Sequence, residues 1–122
     1  MKRKNNAFIR RKAECYRLEV YVPLTHLEVL KTALFAAGAG CLGKYEHCCW
    51  VSTGRGQFRA LPGAHPYIGT PGENADEVVE EAKIEVLCPA HCLRSVLQAL
   101  RNAHPYETPA FQYWAVETGM VE

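Results

Sequence analysis

The tripeptide His-Pro-Tyr occurs twice, at His65-Pro66-Tyr67 and at His104-Pro105-Tyr106. Proline fixes its own φ and biases the residue before it toward extended backbone, so each imidazole is held in a defined direction. Imidazole and carboxylate together are divalent-metal chemistry, and His65, His104 and Glu107 are the residues that could supply it. Their spacing matches no compact ligand pattern. The structural alternative is that His104 ends a helix while proline and tyrosine shape and pack the turn. The question they pose is whether the two turns meet over a shared cleft.

A second group is Gly54-Arg55-Gly56-Gln57-Phe58-Arg59, where backbone amides and two guanidinium groups suit a phosphate or carboxylate. Arg55 and Arg59, with Tyr67 of the following loop, are the ligand-binding candidates. The Lys and Ser/Thr of a phosphate-binding Walker loop are missing. The alternative is a hairpin tip whose arginines pair with acids between Glu73 and Glu81. His47-Cys48-Cys49 contains the components of a thiol nucleophile. Neighbours on a strand alternate faces, so Cys49 is expected in the interior, and no residue is assigned a catalytic role.

These residues must be positioned by elements that the chain spells out twice. Leu18-Glu19-Val20-Tyr21-Val22-Pro23 returns as Ile84-Glu85-Val86-Leu87-Cys88-Pro89, and Leu27, Ala33 and Leu34 find Leu93, Ala99 and Leu100 at the same offset of 66. A strand, a proline stop and an amphipathic helix, repeated once, predict two β-α-β halves of one sheet. Thr25 and Glu28 predict a capping box for the first helix, which the glycines at 38 and 40 end. A strand is expected over 45–53, with Gly54-Arg55-Gly56 as a hairpin turn and 57–59 returning beside it. Residues 62–74 read as a loop, and Val78-Val79 running into Ile84 favours a long strand. The second helix is predicted over 91–102 and the last strand over 111–116. In this order the repeated strands are neighbours, so Glu19 and Glu85 should project on one side, either as a paired-carboxylate site for metal or proton transfer or, the favoured reading, as part of an acid-base ladder with Arg17 and Lys83. The sheet face away from the helices is left open and invites self-association.

Composition is that of an ordinary globular domain, 48% hydrophobic and 22% charged over 122 residues. The net charge of +1 hides an asymmetry. Residues 2–12 hold six of the fourteen basic side chains, leaving eight beside all thirteen acids. A mildly acidic body argues against a nucleic-acid backbone as partner. Residues 1–14 are expected to form a flexible basic arm without the apolar stretch of a signal peptide, 15–117 a single domain, and 118–122 a tail. No apolar run approaches membrane-spanning length. Six cysteines without a C-x-x-C pair suit the reducing cytoplasm.

Four ordered segments carry a family resemblance: Gly43-Lys44-Tyr45-Glu46-His47-Cys48, Gly54 to Arg59, Gly63-Ala64-His65-Pro66-Tyr67-Ile68-Gly69, and His104 to Ala110. Over about residues 16–114 the chain resembles the domain inserted in bacterial NIF-three-like (YqfO-type) proteins, and its stand-alone relatives. The resemblance implies an α+β, ferredoxin-like β-α-β-β-α-β sandwich similar to the CutA and P-II signalling proteins, with an antiparallel sheet, two helices on one face, and a trimeric assembly. Full-length members build a two-metal site from flanking domains, so the resemblance to the inserted domain alone does not imply dimetal hydrolase chemistry. The expected function is a non-catalytic, ligand-responsive or partner-binding domain, homotrimeric and cytoplasmic, with a small-molecule or anionic ligand. The alternatives are a divalent-metal protein or metal-dependent hydrolase through His65, His104 and Glu107, and a nucleotide or anion sensor through Arg55, Arg59 and Tyr67.

Overall fold

Alternation along the repeated segments decides the architecture. Leu18, Val20 and Val22 are fully buried, as are Ala82 and Ile84, while the residues between them face the other way. The computed structural model describes residues 13–119. The basic arm expected over 1–14 lies outside the described residues up to residue 12, as do residues 120–122 of the tail.

Strand β1 (Cys15–Pro23) leads through a 3-10 turn (Leu24–His26) into helix α1 (Leu27–Ala36). Strands β2 (Trp50–Phe58) and β3 (Glu77–Pro89) follow, then a 3-10 turn (Ala90–Cys92), helix α2 (Leu93–Ala103) and strand β4 (Phe111–Ala115). The sheet is antiparallel in the order β2-β3-β1-β4. Leu30 and Leu34 of α1 and Val96 and Leu100 of α2 are buried with the inward residues of β1 and β3 in one core. Full burial of each such side chain stabilises the fold by about 1.5–3 kcal/mol.

The repeat is expressed in the fold down to its turns. Pro23 and Pro89 adopt nearly the same backbone geometry, with φ/ψ of −60°/148° and −59°/143°. Each is followed by three residues of 3-10 helix and a first α-helical residue, Leu27 or Leu93, at the offset of 66. Glu19 is paired directly with Glu85, its own repeat partner, so the pseudo-twofold axis passes between these two carboxylates. Like charges directly opposite are unfavourable. Arg17 forms an ion pair with Glu85, and Lys83 Nζ lies 3.8 Å from the same carboxylate. The ladder is therefore present but lopsided, since both bases serve Glu85.

Three expectations are corrected. Gly54-Arg55-Gly56 is no hairpin turn. It lies within β2, whose residues all find partners because β3 is thirteen residues long. The strand does not begin at 45 either: Leu42 and Tyr45 form a tight bridge, and His47 turns the chain at φ 61° with its ring stacked on Phe35 at 4.7 Å. The capping box is replaced by the 3-10 entry, so Thr25 Oγ1 is bonded to His26 Nδ1 at 2.9 Å and Glu28 pairs with Lys31 at 3.2 Å. Cys49 packs against the core, as its place in the pattern predicts.

Candidate functional site

The two His-Pro-Tyr turns meet. The His65 backbone N–H donates to Glu107 Oε2 at 2.8 Å, and the rings of Tyr67 and Tyr106 lie 6.3 Å apart. Between them and the open face of the sheet is a cavity of about 420 Å³. The sheet supplies Tyr21 from β1, Gly56 and Phe58 from β2 and Glu81 from β3, while the turns supply Pro66, Tyr67, Tyr106 and Glu107.

Each wall has a local cause. The loop after β2 is fastened at its root, where Arg59 Nε donates to Asp76 Oδ1 at 2.9 Å and Arg59 Nη1 to Asn74 Oδ1 at 2.6 Å. Gln57 reaches the same aspartate at 3.3 Å. Gly56 leaves room for the Glu81 carboxylate, which lies where a Cβ would stand. Tyr106 Oη donates to Glu81 Oε2 at 2.9 Å, which ties the second turn to strand β3. Burial, then the hydrogen bond to Glu81 and that group's charge, hold the Tyr106 phenol well above its ordinary pKa, so it remains a donor.

His104 sits behind this wall, only 6% exposed. The Tyr106 backbone N–H donates to its Nδ1 at 3.1 Å, so the proton is on Nε2, which donates to the Tyr21 carbonyl at 2.7 Å. Burial pulls its pKa below the ordinary 6.5, opposed in part by the Tyr21 hydrogen bond and the charge of Glu81. With both nitrogens engaged, the imidazole has no lone pair to offer a metal. Glu107 Oε2 accepts from the His65 amide, and among the described residues no group of three or more His, Cys, Asp or Glu is placed to hold a metal ion.

The residues singled out for an anion separate. Tyr67 lines the cavity, Arg59 staples the loop to Asp76 and Asn74, and Arg55 is exposed beside a shallow hollow that also touches Lys83. Sequence reasoning missed Glu81, Phe58 and Tyr21. Only the second His-Pro-Tyr pointed at Tyr106, and its tyrosine, not its histidine, faces the cavity. No Cys, Ser or Lys is among the lining residues. Elsewhere, burial and the neighbouring Cys92 and Cys15 push the Cys88 thiol up to about 11, away from nucleophilic use.

No family model matches the chain. A Mycobacterium leprae protein named GTP cyclohydrolase 1 type 2 homolog is 47% identical over 97 residues, which is 80% of this chain and 25% of that protein. The Bacillus cereus protein related to NIF3 superposes at a TM-score of 0.74 with 36% identity, covering 89% of this chain and 27% of that one. The folded region is homologous to one domain of the NIF3-related proteins. This NIF3-related domain spans about a quarter of the length of the curated relatives it matches. CutA from Archaeoglobus fulgidus has a TM-score of 0.61 at 17% identity over 87% of both chains. GlnK of Bacillus subtilis has 0.55 at 14% over 85% of this chain and 86% of its own. At those identities the likeness is one of fold, and it is the CutA and P-II-like fold that the four motifs implied.

Proposed function

We propose that this NIF3-related domain is a non-catalytic, ligand-responsive or partner-binding module that acts as a cytoplasmic homo-oligomer, a trimer. The observation that carries the reading is the convergence of both His-Pro-Tyr turns on one preformed cavity, whose volume falls in the range of small-molecule sites. Its lining is dominated by aromatic and small apolar side chains, with Glu81, Glu107 and Thr108 among its polar groups. The cyclohydrolase activity in the relatives' name is given to proteins of which this chain spans about a quarter. No helix among the described residues is long and apolar enough to cross a membrane.

Self-association has a surface to use. The chain's own loop roofs the end of the open sheet face around Glu81, and the other end carries Arg17, Glu19 and Glu85 flanked by Trp50 and Trp114. Those tryptophans are 68% and 43% exposed. Tryptophan and arginine are enriched where protein surfaces meet, and both stand on this part of the sheet face. Light scattering behind size exclusion, at low micromolar protein, is expected to give a trimer mass, and a thermal-shift screen of metabolites a rise in melting temperature for at least one compound class. A stable monomer that no compound shifts overturns the proposal.

A further inference from the structure

On that reading, we infer that the cavity takes a small organic cation with an apolar body. Four aromatic side chains line it, Tyr21, Phe58, Tyr67 and Tyr106, and Tyr106 lies 6.3 Å from Tyr67 and 6.3 Å from Phe58, inclined at 46° and 57°. Aromatic rings around a common space attract a positive group wherever an electron-rich face is open to it.

The charged groups on the lining have one sign. Glu81 and Glu107 are there, and no Lys or Arg is. Glu81 Oε2 accepts from Tyr106, while its Oε1 has no hydrogen-bond or ion-pair partner among the described residues. Arg55 and Lys83 line the adjoining hollow, which shares Tyr21, Gly56 and Glu81 with the cavity. There Lys83 is turned to Glu85 at 3.8 Å and stands 6.0 Å over the Tyr21 ring. Arg55 stands opposite Glu80 in the strand register.

Three kinds of occupant fare differently in this space. An anion meets two carboxylates. A neutral molecule gains apolar contact but strips water from Glu81 without replacing it, a cost that falls on the complex. An ammonium or guanidinium group replaces that water with an ion pair, and its hydrocarbon part covers the rings. The fastened loop and the Glu81–Tyr106 bond keep the walls in place beforehand, which lowers the ordering cost of binding.

The test is calorimetric titration of the full chain with three near-isosteric probes: phenethylamine, 2-phenylethanol and phenylacetate. Phenethylamine is expected to bind at least about tenfold tighter than the alcohol, with phenylacetate weakest. Glu81→Gln keeps an acceptor for Tyr106 and is expected to bring the amine down to the affinity of the alcohol. Tyr67→Leu is expected to weaken amine and alcohol together. The wild-type series alone decides the matter if either variant fails to fold. Equal or better binding of the alcohol or the acid overturns the cation preference and leaves the ligand-binding reading standing. Silence from all three probes overturns the preference too, while the metabolite screen decides the broader reading separately.

Discussion

At His104 an imidazole takes the place of a main-chain donor. The Tyr21 amide is bonded to the Ala110 carbonyl just beyond the end of β4, but the Tyr21 carbonyl has no strand donor there and takes the Nε2 proton of His104. In the other half of the repeat, the equivalent carbonyl, Leu87, receives the Gly40 amide at 2.8 Å. Burial lowers the His104 pKa, so below about pH 6.5 the unfolded chain takes up a proton that the folded chain refuses. The stabilisation is therefore complete above that pH and is lost as pH falls through the folded value. Chemical denaturation is expected to show stability declining from pH 7 to 5, and His104→Gln to flatten that slope while costing about 1–3 kcal/mol at pH 7. Gly56 is as specific. A methyl group there must push the Glu81 carboxylate away from Tyr106. Gly56→Ala is expected to cost about 1–2 kcal/mol, and ultraviolet titration of the tyrosines to show one phenol returning toward its ordinary range.

At the level of elements, what could be seen in the sequence was whatever local alternation and repetition encode. The buried faces of β1 and β3 and the two helices follow from apolar spacing, and Glu19 opposite Glu85 follows from the repeat. The extent of β2 could not be seen, because glycines at 54 and 56 carry the same local signal in a turn as in a strand that runs beneath a neighbour's carboxylate. Only the thirteen-residue partner β3 resolves the two. The site was half legible for the same reason. Tyr67, His65, His104 and Glu107 stood out as motif residues, but Glu81 and Phe58 become wall residues only once the loop folds back over the sheet. Thr25 shows the converse error, a local signal that tertiary structure overrides. Thr25→Ala is expected to change stability by less than about 0.5 kcal/mol, whereas Leu30→Ala, in the core beside it, costs about 2–5 kcal/mol by equilibrium unfolding.

For the whole molecule, the pseudo-twofold axis divides labour between the two ends of the open sheet face. One end is roofed and concave, the other bare and framed by tryptophans, and β1 and β3 run through both. The symmetry is broken in the lengths of the outer strands, nine residues for β2 and five for β4. It is also broken where β1 stops: its last partner is Glu81, so residues 77–80 of β3 pair with β2 alone. Two strands without a third form a ribbon of low intrinsic stability, and this ribbon carries Gly56 and Phe58 into the cavity wall. Deuterium should accordingly enter the amides of 55–58 and 77–80 well before those of 18–22 and 82–86, and an occupant of the cavity should slow the first set much more than the second. The part of the sheet that greets a ligand is then also the part that breathes.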